Sequence, residues 1–222
     1  MHNIHIAGTG TWLPEDKITN DEIVASFNTY ADAFNIQHRE EIDKGNVEEM
    51  TYSSVDFIEK ASGIKTRYVI DKKGILDPNR MMPSVRNEDE DSLSIHAEKG
   101  VIAAKRAMEQ AGVTAEEIDA VILGTSHSAR NYPSVAIEIQ NELGINGYAY
   151  DMLVGCSSTT FAINNAYSDI ASGLANTILV INPEISTPCV DFSRKDIHFI
   201  FGDACVATIV QKDSSSAKSF KI

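Results

Sequence analysis

Apolar and polar positions follow two rhythms along this chain. Two short runs are apolar on both faces, Ala120 to Gly124 and Thr177 to Asn182, and read as buried strands, and Tyr148 to Met152 reads as a further strand. Between and before them lie stretches with helical spacing: Ser92 to Ala111, the segment opened by Pro133 and ending at Leu143, and Cys156 to Ser172. Gly112, Gly144 and Gly173 follow these stretches as helix stops. Nearer the N-terminus, Ile4 to Gly10 reads as a strand ending in glycines. Thr19-Asn20-Asp21-Glu22 reads as a capping box that opens a helix through Phe27. A second helix, capped at Ser53, stops at Gly63, and Ile64 to Ile70 follows as a short strand. Phe199 to Phe201 and Ala204 to Gln211 read as paired strands around a Gly202-Asp203 turn. Residues 29–52 and 71–92 lack a clear period and are expected to be insertions or loops, the second carrying the acidic run Glu88 to Asp91.

Strands alternating with helices imply an α/β fold with a mixed, mainly parallel sheet covered by helices. One domain over residues 1–222 is expected, with the tail from Ser214 to Lys218 as a surface connection.

Composition narrows the function. A net charge of −13 argues against nucleic acid and anionic membranes as partners. No apolar run reaches membrane-spanning length, and the N-terminus lacks the basic and apolar regions of a secretory signal. Three cysteines, Cys156, Cys189 and Cys205, form neither a CxxC pair nor a disulfide framework, which suits a reducing cytoplasm. The glycines after the first strand are not a dinucleotide fingerprint, since Leu13 stands where the third glycine would be.

The densest chemistry surrounds Cys156. Residues 152–168 contain no charged side chain, and Gly155-Cys156-Ser157-Ser158 marks a turn from strand into helix. A helix uncharged all round is expected to be buried. At its first turn, free backbone N–H groups and the helix dipole favour negative charge on a sulfur or on an acyl oxyanion attached to it. The plain alternative is a small buried hydrophobe, the reading also given to Cys189 and Cys205. A phosphatase C-x5-R pattern is excluded, because Ala162 occupies the arginine position.

Several stretches together resemble the β-ketoacyl-ACP synthase III group of the thiolase superfamily. They are Gly8 to Pro14 with Thr19-Asn20, Ala61 to Arg67, Tyr132-Pro133-Ser134 with Ile139-Gln140, Asp151 to Cys156, and Phe201-Gly202-Asp203-Ala204 with Ala207. The resemblance implies the thiolase-like layered fold, with this chain corresponding to the N-terminal half of a duplicated architecture. It implies that Cys156 takes an acyl group from acyl-CoA and passes it to the carbanion of decarboxylated malonyl-ACP, in fatty acid or related biosynthesis. Acyl-CoA is then a substrate, and neither cofactor nor metal is expected.

The same resemblance assigns a His and an Asn of a C-terminal half to the second half-reaction. None of the six histidines here stands in a matching motif, His127 being the nearest candidate for a site role. A docking surface for the acidic carrier protein is likewise expected outside this acidic half. At the family's CoA-adenine positions stand Phe57 and Ala61, and a second CoA contact falls on Lys195 or Arg194. Tyr132 corresponds to an aromatic side chain reaching the partner's acyl pocket in a homodimer, whose central strands would pair through Thr177 to Asn182. Alternatives within the superfamily are thiolase and hydroxymethylglutaryl-CoA synthase, the latter disfavoured by Gly124-Thr125-Ser126-His127 in place of a Glu-bearing motif. A non-catalytic heterodimer subunit is the alternative of another class, disfavoured by the retained Cys156.

Overall fold

Two glycines let the first strand touch a helix backbone. Strand β1, Ile4–Trp12, continues past Gly8 and Gly10 instead of ending there. A Cβ on Gly8 would lie 2.5 Å from Ala107 O, and one on Gly10 2.5 Å from Ala107 N, closer still to Ala103 O. Both contacts are to the backbone of a long helix rich in alanine, which therefore rests directly on the strand. In this computed structural model the described residues are 3–85, 92–128, 130 and 132–222. They form two compact units where the sequence pattern suggested one domain.

The first unit comprises Met1–Leu13, Asn87–Ile185 and Ala204–Ile222. Its strands are β1, β4 (Ala120–Thr125), β5 (Tyr148–Leu153), β6 (Thr177–Ile185), β7 (Asp203–Lys212) and β8 (Phe220–Lys221), in the order β5-β4-β6-β7-β1-β8. β4 is parallel to β5 and β6, whereas β1 is antiparallel to β7 and β8, so the sheet is mixed. Helices α5 (Ile95–Ala111) and α6 (Val135–Leu143) bury Val121, Leu123, Leu179 and Ile181 on one face. Helix α7 (Ser158–Ala171) buries Ala120, Ile122, Ile178 and Val180 on the other. Double-sided burial is why β4 and β6 read as continuous apolar runs. The glycine stops hold, with Gly112 and Gly144 left-handed at φ 72° and 70°.

The second unit comprises Pro14–Arg86 and Ser186–Asp203. It holds β2 (Lys17–Thr19) paired with β3 (Thr66–Tyr68), and helices α1 (Asn20–Gln37), α2 (Arg39–Asp43), α3 (Val55–Ser62) and α4 (Lys72–Leu76). Phe27, Ile58, Ile75, Met81 and Phe192 share its core. Arg67 is buried and donates to Phe199 O, Ile18 O and the Asn20 amide oxygen, which ties two segments, residues 18–20 and Phe199, to one guanidinium. Asp203 does the same as an acceptor, from Thr187 N–H, Thr187 Oγ1–H and Ile70 N–H.

Four expectations need correction here. The capping-box helix does not stop at Phe27: Tyr30, Ala31 and Phe34 extend its apolar stripe, and α1 runs to Gln37 through the expected insertion 29–52. The expected loop 71–92 contains α4, capped by Asp71, and anchors Ile75 and Met81 in the core; its acidic run lies outside the described residues. Phe199–Phe201 form no strand, since β7 finds its antiparallel partner in β1. Finally, β6 cannot pair across a two-fold axis through Thr177 to Asn182, because β4 and β7 flank it on both sides. The open edge of the sheet at that end is β5.

Candidate active site

Strand β5 leads into the turn that carries Cys156. The turn, Gly155–Ser157, is a 3-10 helix, and α7 starts only at Ser158, two residues later than the sequence pattern suggests. Gly155 takes a left-handed φ of 58°, which disfavours a side chain there. Cys156 is exposed, and among the described residues its sulfur has no hydrogen-bond partner. The buried Ser158 pins the turn. Its Oγ accepts from Val154 N–H at 2.9 Å and has Thr125 O and Gly155 O both at 2.8 Å for its single proton. The residues on either side of Cys156 are thus anchored to the end of β4, and the sulfur stands free at the dipole-positive end of a helix.

The expectation that this helix is buried all round is not met. Only Ser158, Ala162, Ala166 and Ile170 are buried, and Phe161 is 48% exposed. Leu153 and Val154, just before the turn, are also exposed. The uncharged stretch is therefore open, its exposed Leu153, Val154 and Phe161 set among exposed polar residues such as Thr159, Thr160 and Asn164. The other cysteines differ as well. Cys205 is buried in β7, and burial pushes its thiol up to about 12, which makes it inert near neutral pH. Cys189 is exposed in the turn Thr187–Cys189, not buried as expected for a structural cysteine.

His127 donates from Nε2 to Ile185 O at 2.8 Å, the nitrogen carrying the proton because a carbonyl only accepts. Its ring meets His96 edge to face at 5.2 Å. His96 is buried, and among the described residues neither ring nitrogen has a partner. Burial, then the neighbouring His127, pushes His96 down to about 4. His198 in the second unit is pushed down to about 4 as well, mainly by burial, with Ser53 Oγ at 3.1 Å and Lys195 O at 2.8 Å from its ring nitrogens.

Both histidines are neutral in the fold, whereas the unfolded chain takes up protons below the ordinary value of 6.5. Their contribution to stability is therefore complete above about 6.5 and lost as pH falls toward about 4. Denaturant midpoints are expected to drop between pH 7 and pH 5, and His96→Leu is expected to shrink the drop. A midpoint that stays level or rises on acidification would contradict this.

Tyr132 is 89% exposed and overhangs a concavity of about 390 Å³ that Arg130, Ser134, Ile137, Asp151 and Leu153 also line. Cys156 does not line it. Asp151 accepts from Val135 N–H and Ala136 N–H, both at 2.8 Å, and so caps α6 from β5. Burial raises this carboxyl above its usual range despite the two bonds.

The residues matched to a CoA grip all lie in the second unit. Phe57 on α3 packs edge-on against Phe199, and Lys195 Nζ sits 5.3 Å from its ring centre and 3.1 Å from Thr51 Oγ1. Arg194 is turned to Asp196 at 2.8 Å, both side chains exposed. The structure thus joins Phe57 with Lys195 and leaves Arg194 in a local ion pair. The sequence pattern does not mark Ser158, whose hydroxyl pins the turn through Thr125, far away in the chain.

The chain is similar to proteins already known. The family model described as 3-oxoacyl-[acyl-carrier-protein (ACP)] synthase III matches residues 150–222, which include the Cys156 turn. The chain is 51% identical over 187 residues to a β-ketodecanoyl-[acyl-carrier-protein] synthase of Pseudomonas aeruginosa, covering 84% of this chain and 53% of that protein. It is 30% identical to a β-ketoacyl-[acyl-carrier-protein] synthase III of Bartonella tribocorum, over 94% of this chain and 51% of the relative. Among solved structures, 3-oxoacyl-[acyl-carrier-protein] synthase III from Aquifex aeolicus superposes with a TM-score of 0.68 at 26% identity, covering 95% of this chain and 54% of that one. A priming β-ketosynthase of a polyketide pathway shares the fold, with a TM-score of 0.71 at 22% identity, over 96% of this chain and 51% of that one. The chain therefore spans about half the length of the relatives it matches.

Proposed function

We propose, from the premise that this chain belongs to the 3-oxoacyl-[acyl-carrier-protein] synthase III family, that Cys156 is the acyl-accepting nucleophile of a decarboxylative Claisen condensation. The observation that carries the reading is the exposed, unpartnered sulfur held in the turn at the start of α7. Its thiolate attacks the thioester carbonyl of acyl-CoA, the carbonyl oxygen becomes an oxyanion, and CoA leaves as the thiol once protonated. Backbone N–H groups and the helix dipole favour that oxyanion. Malonyl-ACP then loses CO2, the carbanion attacks the acyl carbon, and Cys156 leaves as thiolate with β-ketoacyl-ACP as product. By the resemblance, a His and an Asn of a C-terminal half serve this second step, so the full-length protein is the object to assay.

The name of the Pseudomonas relative supports a narrower substrate. A ten-carbon β-ketoacyl product, less the two carbons delivered by malonyl, corresponds to an eight-carbon primer. The expected substrate is thus a medium-chain acyl-CoA. When full-length protein is offered equal acetyl-, octanoyl- and palmitoyl-CoA, intact mass is expected to show mainly the octanoyl adduct. A predominance of acetyl or palmitoyl adduct would overturn the chain-length reading. The β5 edge, with Leu153, Val154 and Phe161 exposed beside it, supports a homodimer formed there instead of at β6. Sedimentation of the full-length protein at monomer mass would refute that assembly.

A further inference from the structure

β4 and β6 run parallel with a constant offset of 58 positions, from Ala120↔Ile178 to Leu123↔Ile181, where the backbone pairing ends. The register does not end there. Asn182 Nδ2 donates to Gly124 O at 2.7 Å, and Thr125 Oγ1 donates to Pro183 O at 2.7 Å. Ser126 donates its N–H to Glu184 Oε1 at 2.8 Å and its hydroxyl to Oε2. His127 Nε2–H reaches Ile185 O at 2.8 Å. All four rungs keep the offset of 58, and the bridging side chain comes from β6 and from the β4 side in turn.

A parallel sheet opens at the carboxyl ends of its strands, and ligands bind in that opening. Here the opening is spanned by side chains, and the Cys156 turn stands on it. Ser158 Oγ links Thr125 O to Val154 N–H. Gly124 lies so close under α7 that a Cβ there would come 2.7 Å from Ser158 O. Asn182, 5% exposed, holds the carbonyl of that same Gly124. Its Oδ1 is buried, and among the described residues it has no partner. An unmatched buried acceptor costs stability, while the same amide supplies the buried Gly124 O with a donor that a leucine would remove. Packing alone does not account for an amide at this position.

We propose that Asn182 is a positioning residue for Cys156: the rungs fix the spacing of the splayed strand ends, and through Gly124 and Thr125 they set where the turn places its sulfur. The proposal rests on the acyl-enzyme reading of Cys156. Its consequence is a separation of stability from reactivity. Replacing Asn182 by leucine removes an orphan acceptor and also leaves Gly124 O without that donor, changes in stability of opposite sign, while the turn settles off its productive geometry, where small misplacements slow reaction steeply.

The test compares full-length wild type with Asn182→Leu by rapid-quench acylation over a range of octanoyl-CoA concentrations, alongside thermal unfolding. The unfolding midpoint is expected to stay within about 4 °C of wild type, since the two effects on stability offset. The limiting acylation rate is expected to fall at least about fivefold, with the half-saturating concentration changed less than about twofold. A smaller loss of rate, a dominant change in half-saturation, or a rate loss accompanied by a midpoint more than about 4 °C below wild type overturns the proposal. If Asn182→Leu does not accumulate as folded protein, Thr125→Val removes the next rung, and the same results in that variant support or overturn the proposal. A wild type that forms no acyl-enzyme overturns the reading of Cys156, and the proposal with it.

Discussion

Gly10→Ala is expected to unfold much of the first unit at temperatures the wild type tolerates. The added Cβ would sit 2.5 Å from Ala107 N and closer to Ala103 O, both backbone atoms of α5. A flexible side chain could move aside, but a helix backbone moves only with all its contacts. α5 also packs against β6 and α6, so retreat from β1 would disturb the core built on Val101, Ala104, Ile139 and Ile181. The expected cost is about 3 kcal/mol or more, which lowers the melting temperature by about 6–12 °C in a chain of this size. Gly112→Ala is the control, since nothing lies within 4 Å of its added Cβ and only the left-handed φ of 72° opposes it. That change should cost about 1 kcal/mol. Melting curves in which both variants fall equally would contradict the close packing of α5 on β1.

The second large effect is chemical. In the full-length protein, Cys156→Ala is expected to lower the proposed condensation of octanoyl-CoA with malonyl-ACP by about 10⁴-fold or more, as loss of a nucleophile typically does. Cys156 is exposed and its sulfur bonds to nothing among the described residues, so alanine removes the reacting atom and leaves the fold in place. The melting temperature should therefore stay within about 2 °C of wild type. Retention of more than about a tenth of the wild-type rate would mean that another group accepts the acyl chain.

Much of the fold is local and is legible in the sequence for that reason. Helix ends marked by Gly112 and Gly144 depend on a few neighbouring residues, though the helices start after the caps Ser94 and Ser134 and not at Ser92 and Pro133, and the doubly buried strands β4 and β6 announce themselves as apolar runs. The features that the sequence hides depend on partners distant in the chain. β7 pairs with β1, residues such as Thr208 with Thr9, and no turn near Gly202 reveals that. The interior place of β6 follows from strand order, which a period cannot encode. The sequence pattern ends α1 too early because its outer face is polar while Ala31 and Tyr30 continue a sparse inner stripe.

At the candidate site, the turn that carries Cys156 is legible because a glycine, a cysteine and hydroxyl residues mark a strand-to-helix turn in contiguous sequence. The side chains that hold the turn are not. Ser158 acts through Thr125, 33 positions away, and Asn182 through Gly124, 58 away. The charge-free stretch reads as a buried helix because absence of charge marks burial in a monomer, yet it also marks an open edge such as that beside β5. Lys195 over Phe57 depends on where the chain after Ser186 returns to α3 within the second unit, which no spacing shows.

Peptide mapping of the acylated protein tests the acyl-enzyme claim most directly. Full-length protein is incubated with octanoyl-CoA, quenched, digested and sequenced by tandem mass spectrometry. The predicted result is one octanoyl group per chain, in thioester linkage, on the peptide containing Cys156. Octanoyl on the exposed Cys189, or on any other residue, with Cys156 unmodified would contradict it.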